Sequence, residues 1–252
     1  MKSAVSRIPA GVVTTVVALL VWQLVGSFGP LHGDSFASAS QAITGLSSLA
    51  RQSDFWSAVA QTVEIAAIGF GISVLIAVPL GVVIGLSRFA YRSTKFTFDF
   101  FKVIPPIVII PIAILAIGPT LEMGIFLVVF ANIFSVAIQT AYGVRDTDPV
   151  LLETMKCYRM GTWSQIRYAR LPAAASQISV ALRLAASASL IVAVVASLIG
   201  GAPGLGQLLG LLENAGKTSQ AYGVVLFLGI IGLLVSRAIV LAQRRMVFWS
   251  GK

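Results

Sequence analysis

From Val59 to Leu86 the chain runs for 28 residues with one ionisable side chain, Glu64. A soluble core does not need an apolar run of that length, whereas a helix crossing the bilayer hydrocarbon needs about 20 such residues. In lipid every backbone N–H and C=O must be paired within its own segment, so a run of this kind reads as a membrane helix. Five more apolar runs cover Pro9–Val25, Phe98–Ile117, Gly124–Tyr142, Ala173–Leu198 and Ala221–Leu241, which makes six expected spans. Composition agrees: 57% of the 252 residues are hydrophobic and 11% charged, against about 25% charged in a soluble domain. Disorder is excluded by the scarcity of charge. A disulfide scaffold is excluded by the single Cys157, and a His/Cys metal cage by that cysteine beside the lone His32.

The expected orientation follows from the loops, because Lys and Arg resist translocation. Lys2, Arg7, Arg88, Arg92, Lys95, Arg145, Lys156, Arg159, Arg167, Arg170, Arg244, Arg245 and Lys252 fall on one side, and Arg51 and Lys217 on the other. Both termini are therefore expected in the cytoplasm. This asymmetry also accounts for the net charge of +9 without a nucleic-acid partner. Pro9–Val25 behind Lys2 and Arg7 also resembles a signal peptide, but the small-residue pattern Ala37-Ser38-Ala39 lies more than ten residues past the run. An uncleaved first helix is the expectation.

Within the spans, Gly81-x-x-x-Gly85 would let a second helix approach closely. Pro105, Pro106 and Pro111 remove backbone donors in the third span, so a kink is expected there, for packing or for lining a path. Glu64, Lys102 and Arg183 lie in or beside apolar runs, where a charge must be paired, hydrated or snorkelling. Arg183 is the deepest, on a stretch that also carries Ser176, Ser179, Ser187 and Ser189, which do not all fall on one stripe. It can meet an anionic substrate or a structural partner. Pro105, Pro106, Asn132, Ser135, Ser179, Arg183 and Ser187 are the candidate path residues.

No nucleophile elbow, catalytic His or intramembrane carboxylate pair is present, so an enzyme is not expected. The segment Gly210 to Thr218 imitates a phosphate-binding P-loop but has five residues between its glycines where four are needed. Any energy source must then be a gradient or another polypeptide.

The segment 145–172 is the longest between spans on the basic side. Asp148 before Pro149 reads as an N-cap followed by Pro at the first helical position, with Leu151, Leu152, Met155 and Met160 supplying apolar contacts. Gly161 is expected to close that helix in a left-handed turn, and Thr162-x-x-Gln165 to open a second as a capping box reaching Arg170. Pro172 begins the next span. Such a helix pair is shaped for a groove on a partner protein, or for anionic lipid.

Asp148-Pro149-x-Leu151-Leu152-Glu153 through Leu171-Pro172 resembles the EAA loop of ABC importer permeases, with Trp163, Arg167 and Arg170 where that loop often has such residues. More narrowly, residues 55 to 250 resemble the sulfonate, taurine and nitrate permease group. The matching pieces are Val78-Pro79-Leu80-Gly81, Gly85-Leu86-Ser87-Arg88, Ile104-Pro105-Pro106, Ile110-Pro111-Ile112, Gly143-Val144-Arg145, Ala181-Leu182-Arg183-Leu184-Ala185 and Gly204-Leu205-Gly206. The resemblance implies an all-α, six-span type I permease domain over residues 1–252. It implies a bacterial inner-membrane complex of two permeases of the same or different sequence, a cytosolic ATPase dimer carrying ATP and Mg, and an extracytoplasmic solute-binding protein. No cofactor would sit on this chain. The coupling residues would be Asp148, Glu153, Met155, Tyr158, Arg159, Gly161, Trp163, Leu171 and Pro172. The implied substrate is a small anion such as a sulfonate or nitrate, with a vitamin or pyrimidine precursor as the alternative, and a secondary transporter or channel as the more distant one.

The chain departs from the family pattern in three places. Glu153-Thr154-Met155 stands where Glu-Ala-Ala is usual, and the family's loop glycine falls on Arg159, with Gly161 two residues later. A longer first coupling helix is the expectation. Ser197 stands where an acidic residue is common. The departures suggest pairing with a different, more regular permease subunit.

Overall fold

The computed structural model describes residues 10–28 and 36–246. His32, Lys2, Arg7 and Lys252, used in the sequence argument, lie outside them. Among the described residues the helices are α1 (Ala10–Phe28), α2 (Ala39–Leu49), α3 (Ser53–Leu86), α4 (Arg88–Phe101), α5 (Pro106–Ile117), α6 (Leu121–Arg145), α7 (Pro149–Cys157), α8 (Thr162–Gln165), α9 (Leu171–Gly200), α10 (Leu205–Asn214) and α11 (Thr218–Met246). Four helical stretches are long and apolar enough to cross a membrane: Ser53–Leu86, Leu121–Arg145, Thr162–Gly200 and Thr218–Leu241. In α1 the apolar part is the shorter Val13–Ser27.

The stretch expected as one kinked third span is instead two helices, α4 and α5, bent by 85°. Proline explains the size of the break. Pro105 and Pro106 lack N–H donors, and each disfavours helical backbone in the residue before it, so the helix ends rather than bends. Pro105 is extended (φ −64°, ψ 131°), and Pro106 restarts the chain at the first turn of α5, where a missing donor costs nothing.

The described residues fall into two compact bodies. The first holds the described residues up to Trp56 together with Leu208–Ile230. Here Ala37-Ser38-Ala39 is buried, and Ser38 with Gln41 forms the capping box that opens α2. The small-residue pattern is thus a helix start. Gly45 of α2 lies against the backbone of Ser219 on α11, and Trp22, Phe36 and Tyr222 form an aromatic cluster.

The second body holds Ser57–Gln207 and the described residues from Ile231 to Met246. A Cβ on Gly69 would lie 2.6 Å from Val128, one on Gly81 2.6 Å from Thr140, and one on Gly85 2.8 Å from Val144. Residue numbers rise together in these pairs, so α3 and α6 run parallel, with Gly81-x-x-x-Gly85 as a close-approach face, as its spacing predicts. Two parallel helices require the segment between them, α4 and α5, to bring the chain back. Ile65, Met123, Leu127 and Val128 are fully buried where α3 meets α6, and Ile110, Ala113, Ala193 and Ala196 complete that cluster from α5 and α9. α9 runs antiparallel to α6, since Asn132 bonds Ser189 while Gln139 bonds Gln177.

Candidate functional site

The first candidate region lies between α6 and α9. Asn132 is 2% exposed, and its Nδ2 donates to Val128 O (3.0 Å) and Ser189 Oγ (2.8 Å). Ser189 Oγ in turn donates to Ala185 O (2.8 Å). These bonds satisfy polar atoms that would otherwise cost about 1–3 kcal/mol each to bury. Beside them Asn132, Ser135 and Gln139 line one wall of a cavity of about 250 Å3, and Ala181, Leu184, Ala185 and Ala188 line the other. Of the expected path residues, then, Asn132 and Ser135 meet here. Gln139 joins them, a residue not anticipated although its spacing signals it: it lies one helical turn past Ser135 and two past Asn132.

The other path residues lie elsewhere. Ser176, Ser179 and Ser187 stand seven before, four before and four after Arg183, so three of the four serines do share its stripe of α9. Ser189 is the fourth, turned to Asn132. Ser179 is buried and accepts from Gln243 Nε2 of α11 (2.8 Å), and Ser187 Oγ donates to Arg183 O (3.3 Å). Among the described residues the ion pair is Lys102 with Asp99, and none involves Arg183. The structural partner considered for Arg183 is therefore not a carboxylate within the described chain. Glu64 is exposed near the start of its span. Pro106 borders a separate apolar cleft of about 240 Å3 with Ile110, Leu127 and Ile191, and Pro105 does not line it.

The second region is the loop between α6 and α9. Asp148 Oδ1 accepts from Val150 N (2.8 Å) and Pro149 opens α7, as their sequence predicts. The end of α7 differs from expectation. Arg159, at φ 54°, takes the left-handed position, with Arg159 N donating to Lys156 O (2.8 Å) and Met160 N to Met155 O (2.9 Å). This bond pair is the Schellman closure of a helix. Gly161 is extended (φ −65°, ψ 165°) and is the N-cap of α8. The helix stops at Cys157 and the longer coupling helix does not form. Satisfying the last carbonyls decides the matter, and Arg159 carries a strain of about 1–2 kcal/mol that glycine would avoid.

The expected capping box is absent, since Thr162 is already inside α8 and Gln165 Nε2 donates back to Met160 O (3.0 Å). From Ile166 to Arg170 the turn widens, with Leu171 N bonding Ile166 O, and α9 follows directly. Pro172 is the cause: its ring would clash with the carbonyl four residues earlier in a regular helix, and the wider turn relieves that. Met155 is buried and anchors the loop, whereas Glu153, Arg159 and Gly161 are exposed. Tyr158 is 78% exposed and Trp163 71%, alongside exposed Val150, Leu151, Tyr168 and Leu171. Together they form an exposed aromatic and aliphatic surface on this loop.

Ser197 has a definite task. Its Oγ accepts from Gly206 N (3.1 Å) while Thr62 Oγ1 accepts from Leu205 N (2.8 Å), so two free donors opening α10 are satisfied. An acidic residue would serve at the same point, because a helix N-terminus favours negative charge. The P-loop imitation is α10 followed by a turn through Gly216 (φ 66°), with a helix rather than a strand before it.

Residues 77–248 match the family described as "Binding-protein-dependent transport system inner membrane component". The chain belongs to that family. It is a multi-pass ABC importer permease subunit and not itself a catalyst. Over 95% of its length it is 22% identical to a protein named as an aliphatic sulfonates transport permease, SsuC, of Bacillus subtilis (strain 168), covering 87% of that protein. It is 27% identical over 75% of its length to the bicarbonate transport system permease protein CmpB of Synechococcus elongatus, covering 68% of it. To the nitrate import permease protein NrtB of Leptolyngbya laminosa it is 24% identical over 77% of its length, covering 69%. In fold it is similar to a chain of the MetNI methionine ABC transporter, with a TM-score of 0.65 and 19% identity over 74% of this chain and 93% of that one. A chain of an amino acid ABC transporter is similar at a TM-score of 0.67, with 18% identity over 79% and 97%.

Proposed function

We propose that this permease imports a small anion across a bacterial inner membrane. Six spans, with α4 and α5 together making the third, would place both termini and the 145–172 loop in the cytoplasm. Two permeases would enclose the path, with Asn132 and Ser135 facing it and Arg183 on a separate stripe of α9. An outside solute-binding protein would deliver the substrate, and a cytosolic ATPase dimer holding ATP and Mg would seat the loop. Closure of the ATPases would move α7 and α8, and through the uninterrupted Thr162–Gly200 stretch that push reaches α9 directly.

The observation that carries this reading is the exposed aromatic surface of Tyr158, Trp163 and Tyr168 on a loop anchored by buried Met155. Relatives named for sulfonate, bicarbonate and nitrate support the anion, as does an arginine without an acidic partner among the described residues. The test is purification of the tagged chain in mild detergent, comparing wild type with Tyr158→Ala/Trp163→Ala. Wild type should bring down an ATPase and the variant should not, with both equally folded. In proteoliposomes, uptake of a sulfonate, nitrate or bicarbonate should require ATP. Wild type emerging without an ATPase would overturn the proposal. Two copies of this chain with no second permease would sink the heteromer.

A further inference from the structure

α4 has three separate faces. Tyr91, Phe98 and Phe101 turn to α6, with Tyr91 against Tyr142 and Phe98 and Phe101 against Phe134. Arg145 completes that side, 4.2 Å from the ring of Tyr91. Numbers rise on α4 as they fall on α6, so α4 climbs along α6 from its Arg145 end toward its middle. On the opposite side Phe89, Phe96 and Phe100 stand in one column with Val103 just past it, 81%, 81%, 58% and 72% exposed. Phe89, Phe96 and Phe100 are seven and four apart, which keeps them on one helical stripe about 16 Å long, and Val103 lies in the turn that follows α4. Between these faces lie Arg88, Arg92 and Lys95, all exposed, at the start of the helix. Asp99 is the acid of this helix and is engaged by Lys102, so the three cations near the start are uncompensated among the described residues.

We propose that this surface of α4 binds an anionic phospholipid. The headgroup phosphate sits on Arg88, Arg92 and Lys95, and an acyl chain lies along Phe89, Phe96, Phe100 and Val103. Charge and length both select this occupant. The cations gather at the end of α6 that carries Arg145, where a headgroup lies, and the aromatic column runs on toward mid-span over about the length of an acyl chain. A soluble protein partner would meet a column sunk beside a membrane helix, and a neutral lipid would leave three cations unanswered. Assignment to the cytoplasmic leaflet rests on the proposed orientation; the binding itself does not.

The full chain, with whatever co-purifies, is reconstituted in nanodiscs of equal phosphatidylglycerol and phosphatidylcholine of matched chains and released for native mass spectrometry. Phosphatidylglycerol should be retained by the wild type, and Arg88→Gln/Arg92→Gln/Lys95→Gln should lower retention by at least about tenfold. Equal retention by both overturns the proposal. As a second measurement, Phe96→Cys in a Cys157→Ser background carries a spin label. Greater collision with oxygen than with a water-soluble nickel complex supports lipid contact. Shielding from both, as a second copy or partner subunit would give, overturns it, as does free access of nickel. Neither readout involves import, so failure here and failure of the proposed transport are told apart.

Discussion

The body built on α3, α6 and α9 and the loop between α6 and α9 solve opposite problems. In the body, polar side chains turned inward pair across helices, Asn132 with Ser189 and Gln139 with Gln177, with Thr140 Oγ1 buried without a partner, and glycines let backbones touch. In the loop, large aromatic side chains stand outside and a non-glycine residue holds a left-handed backbone. The difference teaches where change is tolerated: the body is fixed by its own packing, whereas the loop holds its shape by local bonds and leaves large side chains exposed.

The contrast is most exposed at Gly81. Gly81→Leu should cost about 3 kcal/mol or more, because its Cβ would strike Thr140 and a larger side chain has no room, and thermal melting of the purified chain checks this. A melting point unchanged there would break the comparison. Asn132→Ala should cost about 1–2 kcal/mol, through a lost interhelical bond and a small void. In the loop the sign reverses. Arg159→Gly should stabilise by about 1 kcal/mol by releasing the positive-φ strain, read in the same melting assay. Gly161→Ala should change stability by no more than about 0.5 kcal/mol, since its φ is ordinary and a Cβ there meets nothing within 4 Å. A large loss at Gly161 with none at Arg159 would restore the left-handed turn to the glycine.

Much of the architecture was legible because membrane helices are local. Their backbone bonds close within four residues, and hydropathy alone marks them, so α3, α6, α9 and α11 fall close to the apolar runs. Asp148 and Pro149 were legible for the same reason. The break at Pro105 and Pro106 was visible as proline, but its size of 85° was not, because neighbours decide whether a freed segment kinks or turns. The candidate groove was legible in half: Asn132 and Ser135 read as polar residues in a span, while Gln139 and Gln177 become partners only once α6 and α9 are antiparallel.

The sequence by itself determined that this chain is helical, spans a membrane and belongs with ABC importer permeases, since each rests on hydropathy or on motif order along the chain. Only the tertiary structure decided that Arg159 rather than Gly161 ends α7, that Ser197 caps α10, and that α4 climbs α6 with its aromatic column outward. The last two depend on donors and surfaces that meet across separate segments, and the first on which of the last carbonyls of α7 find a donor, which the position of the glycine alone did not reveal.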